Sequence, residues 1–118
     1  MTDEISWVLM LSVKEGQLEA FRVLMNEMVQ ATQSDHGTTV YEWFVSEEES
    51  SVHIYERYTD SDVLLVHLGE FGENFADRFF ACVDPTGWYV FGNPSDAAVE
   101  ALTSSGAQIL SPFGGFAR

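Results

Sequence analysis

Three histidines, His36, His53 and His67, are the residues of this chain best suited to moving protons near neutral pH. His67 lies in a segment with helical spacing, where it could act as a general base or hold a ligand. A structural hydrogen bond to a neighbour is the alternative for His67. His53 falls on a predicted strand and is expected at a surface or a subunit interface, whereas His36 stands beside Gly37 and is expected in a loop.

Glu56 is predicted on the apolar face of a strand, together with Tyr58. A carboxylate among apolar side chains must be paired or must have a raised pKa. Glu56 could therefore orient His67 or a hydroxyl group of a substrate. A structural ion pair with Arg22 or Arg78 is the simpler alternative.

Five aromatic residues at alternating strand positions could line a pocket for a planar substrate. They are Trp7, Tyr41, Trp43, Tyr58 and Trp88. Aromatic residues at such positions also form ordinary core, so both interpretations stay open. The phenylalanines at helical spacing between residues 71 and 80 predict either core or a lid over the pocket.

No metal or nucleotide cofactor is predicted. The histidines lack the i, i+3 or i, i+4 spacing that places two ligands on one helix face, and Cys82 has no second cysteine with which to form a zinc site. The glycine pairs Gly69-x-x-Gly72 and Gly114-Gly115 lack the strand-to-helix setting of a phosphate-binding loop.

The elements that must position these residues follow from the apolar pattern. Strands are predicted at 5–14, 38–47, 52–59 and 86–92, and helices at 17–33, from Asp60 or Ser61 to Val83, and from Asn93 to about Ser105. The second helix is expected to pause around Gly69–Gly72, and Asn93 is expected to cap the third helix, with Pro94 in its first turn. The tail 107–117 predicts an edge strand or an arm.

The buried stripe of the first helix is predicted to comprise Leu18, Phe21, Met25, Met28, Val29 and Thr32. The order of elements is β-α-β-β-α-β, followed by a C-terminal helix and tail. This order predicts an α+β fold of the ferredoxin-like type, an antiparallel sheet with helices on one face. With 118 residues we expect one domain over 1–118, with its core at 5–92 and the C-terminal helix and arm at 93–118.

Apolar residues occupy both faces of the predicted sheet, although only the face beneath the helices requires them. On the second strand, for example, Val40 and Phe44 oppose Tyr41 and Trp43. A bare aromatic sheet face in water is an association site. A homodimer that packs sheet to sheet with two-fold symmetry is therefore predicted. A monomer whose tail folds back over the sheet is the alternative.

Several features occur in the same order as in a known family. They are the Gly16 turn into the first helix, the Gly37 turn into the Tyr41-Glu42 strand, the run Tyr55-Glu56-Arg57-Tyr58, and an acidic helix start leading to His67. Over roughly residues 5–92 the chain resembles the antibiotic biosynthesis monooxygenase (ABM) domain family of the dimeric α+β barrel superfamily. It departs from the family in a longer, Phe-rich region after His67 and in the added C-terminal helix and tail.

The resemblance implies a homodimer in which two four-stranded sheets form a barrel, with a pocket between sheet and helices in each protomer. Known activities of the family include cofactor-independent oxygenation of polycyclic phenols and quinols. The resemblance thus implies a monooxygenase without cofactor that acts on a small aromatic substrate. It places His67 at the family's histidine position. In an oxygenase of this type His67 would be the base or a hydrogen-bond partner, with Glu56 as its orienter and the Trp and Tyr residues as the walls.

Other functions remain open on the same scaffold. Haem-degrading relatives carry an Asn on the first strand and a Trp near the second helix, where this chain has Ser6-Trp7 and Ser61-Asp62, so haem chemistry is not expected. A non-catalytic small-molecule binder or sensor is the main alternative, since a fold does not determine its chemistry. An interaction protein without a pocket is the third.

The charge of the chain excludes several classes of partner. Nineteen acidic residues against five Lys and Arg give a net charge of −14, which argues against nucleic acid and anionic membrane surfaces. A hydrophobic fraction of 46% distinguishes the chain from acidic disordered proteins. Its start has no basic segment and no run approaches about 18 apolar residues, so a cytoplasmic protein that does not span a membrane is expected.

The predicted homodimer should tighten with added salt. Two chains of charge −14 repel each other, and salt screens that repulsion while it leaves the apolar contact in place. Sedimentation at low and high salt measures the dissociation constant. A dimer that weakens steadily as salt is added would contradict this prediction.

Overall fold

The computed structural model describes residues 2–118, which form nine secondary-structure elements. In chain order they are β1 (Ile5–Val13), α1 (Leu18–Gln33), β2 (Thr38–Val45), β3 (Ser51–Tyr58), α2 (Ser61–Asn74), α3 (Ala76–Cys82), β4 (Val83–Phe91), α4 (Asp96–Ser104) and β5 (Gln108–Leu110). No helix in this part of the chain is long and apolar enough to cross a bilayer.

The strands form one sheet in the order β2-β3-β1-β4-β5. β1 pairs antiparallel with β3 and β4, β2 pairs antiparallel with β3, and β5 runs parallel to β4. This confirms the predicted ferredoxin-like α+β architecture, to which the C-terminal tail adds a fifth strand at the edge. Residues 111–118 are exposed, so the tail does not fold back over the sheet.

Side chains alternate along each strand between a covered face and an open face. On β1, Ile5, Trp7 and Leu11 are buried, and helix residues pack on the same side of the sheet. On the other side, Phe44 and Phe91 are 56% and 38% exposed. The predicted apolar character of both faces is therefore present, and the open face is the surface through which the predicted homodimer would form.

The buried stripe of α1 comprises Phe21, Leu24 and Met28. The predicted stripe, which included Met25 and Val29 but not Leu24, is wrong at these positions. Leu24 is 1% exposed, whereas Met25 and Val29 are only half-buried. Sequence periodicity indicates that an apolar stripe exists, but contacts such as that between Phe21 and Trp43, with ring centroids 5.6 Å apart, set the rotation of the helix.

The second helix begins as predicted but breaks at a different residue. Asp60 caps α2 by accepting a hydrogen bond from the backbone N–H of Val63 at 3.0 Å. The predicted pause at Gly69–Gly72 is wrong, because α2 continues through both glycines. Glycine weakens a helix by about 1 kcal/mol without ending it. The break falls at Phe75, where φ is −129°, and α3 then places Phe79 in the core.

The start of β4 and the cap of α4 also differ from the prediction. β4 begins at Val83 rather than at residue 86, and it includes Pro85 next to a register shift against β1 between Met10 and Leu11. Such an irregularity tolerates a proline, which cannot donate a ladder hydrogen bond. Ser95 rather than Asn93 caps α4, because its hydroxyl accepts a hydrogen bond from the N–H of Ala98 at 3.3 Å.

The core consists of two clusters that share the covered face of the sheet. One is formed by Leu11, Phe21, Leu24, Met28, Val52, Ile54, Phe79, Cys82 and Val83. The other is formed by Ile5, Trp7, Tyr58, Leu64, Val90, Ala98, Leu102 and Ala107. Leu9 on β1 packs against both clusters. The helices are therefore divided between the two clusters: α1 and α3 contribute to the first, and α2 and α4 contribute to the second.

Leu24→Ala should lower the free energy of unfolding by about 2–5 kcal/mol, since it opens a cavity in the core. The neighbouring Val23 is 56% exposed, so Val23→Ala should change it by less than about 0.5 kcal/mol. Urea denaturation of both variants makes the comparison. Equal losses in the two variants would contradict the observed orientation of α1.

Candidate functional site

An acidic and a basic side chain meet inside the protein beneath α2. Glu56 on β3 is 4% exposed and His67 on α2 is 9% exposed. Oε1 of Glu56 lies 3.3 Å from Nε2 of His67, which is ion-pair distance when the histidine is protonated. The sequence places the two residues on separate elements, and the fold brings them together.

The alternative pairing of Glu56 with an arginine is wrong. Arg22 lies on the exposed side of α1, where it contacts Glu49 at 3.4 Å. Arg78 forms two hydrogen bonds to Glu27, at 2.8 and 2.7 Å, and these lower the pKa of the Glu27 carboxyl. Both arginines are thus engaged with surface acids, and neither reaches the interior.

Tyr58 supplies Glu56 with a hydrogen bond from the same strand. Its hydroxyl donates to the same Oε1 atom of Glu56, two residues away on the covered face. Burial raises the pKa of Tyr58 well above its usual value, and the negative charge of Glu56 raises it further. Tyr58 therefore stays protonated and serves as a constant donor to the carboxylate.

A second neutral tyrosine stands across the strand pair. Tyr41 on β2 is opposite Glu56 in the register, and its ring centroid lies 5.7 Å from that of His67. Burial and the charge of Glu56 together raise the pKa of Tyr41 strongly. The carboxylate thus accepts a hydrogen bond from Tyr58, and its charge keeps the nearby Tyr41 protonated as well.

A cavity of about 690 Å³ opens beside Glu56 and His67. This size falls within the usual range of small-molecule sites. Its wall is mostly apolar and aromatic, and it consists of Trp7, Leu9, Met28, Tyr41, Ile54, Glu56, His67, Leu68, Phe71, Gly72, Phe79, Phe80, Pro85, Thr86, Gly87, Trp88, Ala101, Ser105 and Gly106. Trp7 and Trp88 meet edge to face in this wall, with ring centroids 5.3 Å apart.

Three of the five aromatic residues predicted to bind substrate line this cavity: Trp7, Tyr41 and Trp88. The other two, Trp43 and Tyr58, lie behind the wall. Trp43 packs edge to face against Tyr41, and Tyr58 packs against Trp7, with ring centroids 5.8 and 4.9 Å apart. They support the lining residues, while the substrate-binding role of the lining residues stays a prediction.

The cavity also contains residues that sequence reasoning did not single out. Ala101, Ser105 and Gly106 come from the end of α4, a helix whose packing no local pattern reveals. Phe71, Phe79 and Phe80 belong to the Phe-rich run that was predicted as core or lid, and all three line the cavity. The side chains of His36 and His53 are exposed and lie outside it.

Three buried indole groups lie in or behind the wall. The indole N–H groups of Trp7, Trp43 and Trp88 are buried and have no acceptor among residues 2–118. Buried donors without partners are rare in folded proteins and often occur at functional sites. Within the same residues, no three His, Cys, Asp or Glu side chains are grouped so that they could hold a metal ion.

A comparison with protein-family models matches residues 5–70 to the model described as "Antibiotic biosynthesis monooxygenase". No curated protein matches the chain.

Solved structures share the fold at low identity. MupZ from Pseudomonas fluorescens is 19% identical, with 99% of this chain and 96% of that chain covered and a TM-score of 0.83. SnoaB from Streptomyces nogalater, described as a cofactor-independent oxygenase, is 17% identical, with 80% and 96% covered and a TM-score of 0.67. Rv0793 from Mycobacterium tuberculosis is 19% identical, with 80% and 98% covered and a TM-score of 0.68.

Tyr58→Phe should lower the free energy of unfolding by about 1–3 kcal/mol, because Glu56 then loses a hydrogen bond while it stays buried. Tyr55→Phe is the matched control. The Tyr55 hydroxyl bonds only Arg57, at 3.1 Å on the open face, so the change should be within about 0.5 kcal/mol. Denaturant unfolding compares the two variants. An unchanged stability in Tyr58→Phe would show that the buried hydrogen bond is dispensable.

Proposed function

This chain belongs to the antibiotic biosynthesis monooxygenase family, and on that premise we propose that it is a cofactor-independent monooxygenase acting on a small aromatic, phenol- or quinol-like substrate. The observation that carries the proposal is the buried pair of Glu56 and His67 in the wall of an aromatic cavity. SnoaB, which has the same fold, is described as a cofactor-independent oxygenase.

In the proposed reaction His67 takes a proton from the bound substrate. Histidine exchanges protons readily near neutral pH, and the side chain of His67 is buried in the cavity wall. The imidazolium that forms lies 3.3 Å from the carboxylate of Glu56, which stabilises its positive charge. Tyr58 holds that carboxylate in place, so Glu56 acts through His67 rather than on the substrate.

The deprotonated substrate can then react with O₂ without help from a cofactor. In an anthrone, loss of a proton from the CH₂ group gives a carbanion that supplies the electrons itself. One oxygen atom ends in the new carbonyl group and the other in water, which also takes both hydrogens of the CH₂ group. Because the balance requires no outside reductant, the chain's own task is to bind the substrate and remove the proton.

The cavity wall supports a planar aromatic substrate. Trp7, Trp88 and Phe79 present ring surfaces, and aromatic rings pack well face to edge or offset. The volume of about 690 Å³ is sufficient for a tricyclic molecule. The volume of the cavity, its aromatic wall and the position of His67 thus all fit a planar aromatic substrate.

The alternative is a non-catalytic binder or sensor on the same scaffold. That function is favoured by a pocket lined only with apolar groups, with Glu56 and His67 directed elsewhere. Both residues instead lie in the wall, which favours the oxygenase. The cavity likewise disfavours an interaction protein without a pocket.

We also propose that the chain acts as a homodimer through the open face of the sheet. Phe44 and Phe91 are exposed there, at opposite sides of the β2-β3-β1-β4 region. Since the catalytic cavity lies on the covered face, each protomer would keep its own site.

Oxygen uptake with a panel of anthrones and quinols tests the oxygenase. His67→Ala should lower the rate by about 10²–10⁴-fold, the usual contribution of a positioned general base. His36→Ala, which removes an exposed histidine outside the cavity, should keep the wild-type rate. Equal uptake by His67→Ala and wild type would remove the catalytic role of His67. Binding without any uptake by the wild type would favour the binder.

A further inference from the structure

We infer that the part of the ligand held in the cavity carries no negative charge. The inference rests on the proposed function, because it narrows the substrate to aromatic molecules without a carboxylate, sulfonate or phosphate group inside the wall. It is carried by three features of the cavity: a wall without Lys or Arg, a buried carboxylate, and lining residues from the last turns of three helices.

None of the five Lys and Arg side chains lines the cavity. Lys14 donates a hydrogen bond to the backbone carbonyl of Phe80 at 2.7 Å and contacts Asp84 at 3.8 Å. Arg22 and Arg78 pair with surface acids. The remaining two, Arg57 and Arg118, lie beside Tyr55 on the open face and over the ring of Phe116 in the tail. Within residues 2–118, a buried anionic ligand would therefore find no Lys or Arg partner in the wall.

The wall contains one acidic group, the carboxylate of Glu56. Glu56 accepts the hydrogen bond of Tyr58, and its charge raises the pKa of both Tyr41 and Tyr58 beyond the effect of burial. A second negative charge nearby would be repelled at short range in a poorly solvated space. His67 offsets this repulsion only while it is protonated, and a protonated His67 cannot act as the base.

The helices around the cavity add to the negative potential. Although His67 and Leu68 lie in the middle of α2, several lining residues come from the last turns of helices: Phe71 and Gly72 on α2, Phe79 and Phe80 on α3, and Ala101 on α4 followed by its cap Ser105. The C-terminal end of a helix carries partial negative charge. No basic residue occupies the last turn of any of the three helices. Their ends thus disfavour an anion.

This selection is compatible with a reaction that passes through a substrate anion. When His67 takes the proton, a positive and a negative charge appear together inside the cavity. The net charge of the site does not change in that step. A ligand that arrives as an anion, in contrast, brings a negative charge without a compensating one. The substrate must therefore enter protonated and lose its proton only in the site.

A pair of isosteric probes tests the inference without turnover. Anthraquinone-2-carboxamide and anthraquinone-2-carboxylate share their ring system and size but differ by one negative charge at pH 7.5. Quenching of tryptophan fluorescence reports binding, because Trp7 and Trp88 lie in the wall. We expect the wild type to bind the amide at least about tenfold more tightly than the acid, in line with unfavourable desolvation of an unpaired charge.

Two variants of equal net charge test whether the lack of a cation at the cavity causes the preference for the amide. Ser105 is exposed at the C-terminal end of α4 and lines the cavity, so Ser105→Arg places a cation at its rim. It should bring the amide-to-acid ratio of affinities close to one or invert it. Ser104 is exposed on the same helix but does not line the cavity, so Ser104→Arg should keep the wild-type ratio.

Equal affinity of the wild type for the two probes would overturn the inference. It would also be overturned if the wild type bound neither probe. An equal gain in affinity for the carboxylate probe in both arginine variants would also overturn the inference. The overall charge of −14 would then explain the preference for the amide. A preference for the amide without oxygen uptake would keep the inference and remove the oxygenase. Equal affinities for the two probes, together with oxygen uptake that depends on His67, would keep the oxygenase and remove the inference.

Discussion

The carboxylate of Glu56, buried on the covered face of the sheet, is the constraint on which the site depends. A buried charge must be paired and hydrogen-bonded, and Tyr58 and His67 together meet that need. The register of β3 decides which face receives them. A slip by one residue would move Glu56 and Tyr58 to the open face and bring Arg57 into the core. The fold and the proposed chemistry therefore depend on the same strand alignment.

The cavity follows from the way the core is divided. One cluster lies under α1 and α3 and the other under α2 and α4, with Leu9 between them. The C-terminal helix is essential to this arrangement, because Ala98 and Leu102 are fully buried in the second cluster while residues at the end of the helix line the cavity. A segment that looks like an appendage in the sequence thus serves both stability and the shape of the site. Because the same helix presents its C-terminal end, it also contributes to the negative potential that an incoming ligand meets.

Much of the fold could be predicted, and the errors have a common origin. The strands follow from alternation over short segments, and the cap at Asp60 follows from residue type. Leu24 was missed, and the break at Phe75 was misplaced, because both depend on how a helix is turned against its neighbours. The same applies to Trp43 and Tyr58, which share a face with the lining residues but lie behind them. Local sequence patterns identify the face of the sheet on which a side chain lies. Whether that side chain lines the cavity or lies behind its wall depends on packing.

The sequence by itself determined the fold class, the family and the sheet face of Glu56, because each follows from periods of two or 3.6 residues or from motifs in chain order. It also determined the excess of negative charge. Only the tertiary structure decided that Glu56 pairs with His67 rather than with an arginine. It likewise decided that last-turn residues of three helices line one cavity whose wall contains no Lys or Arg. These features depend on distances between segments far apart in the chain, and such distances are set when the two core clusters pack on the sheet.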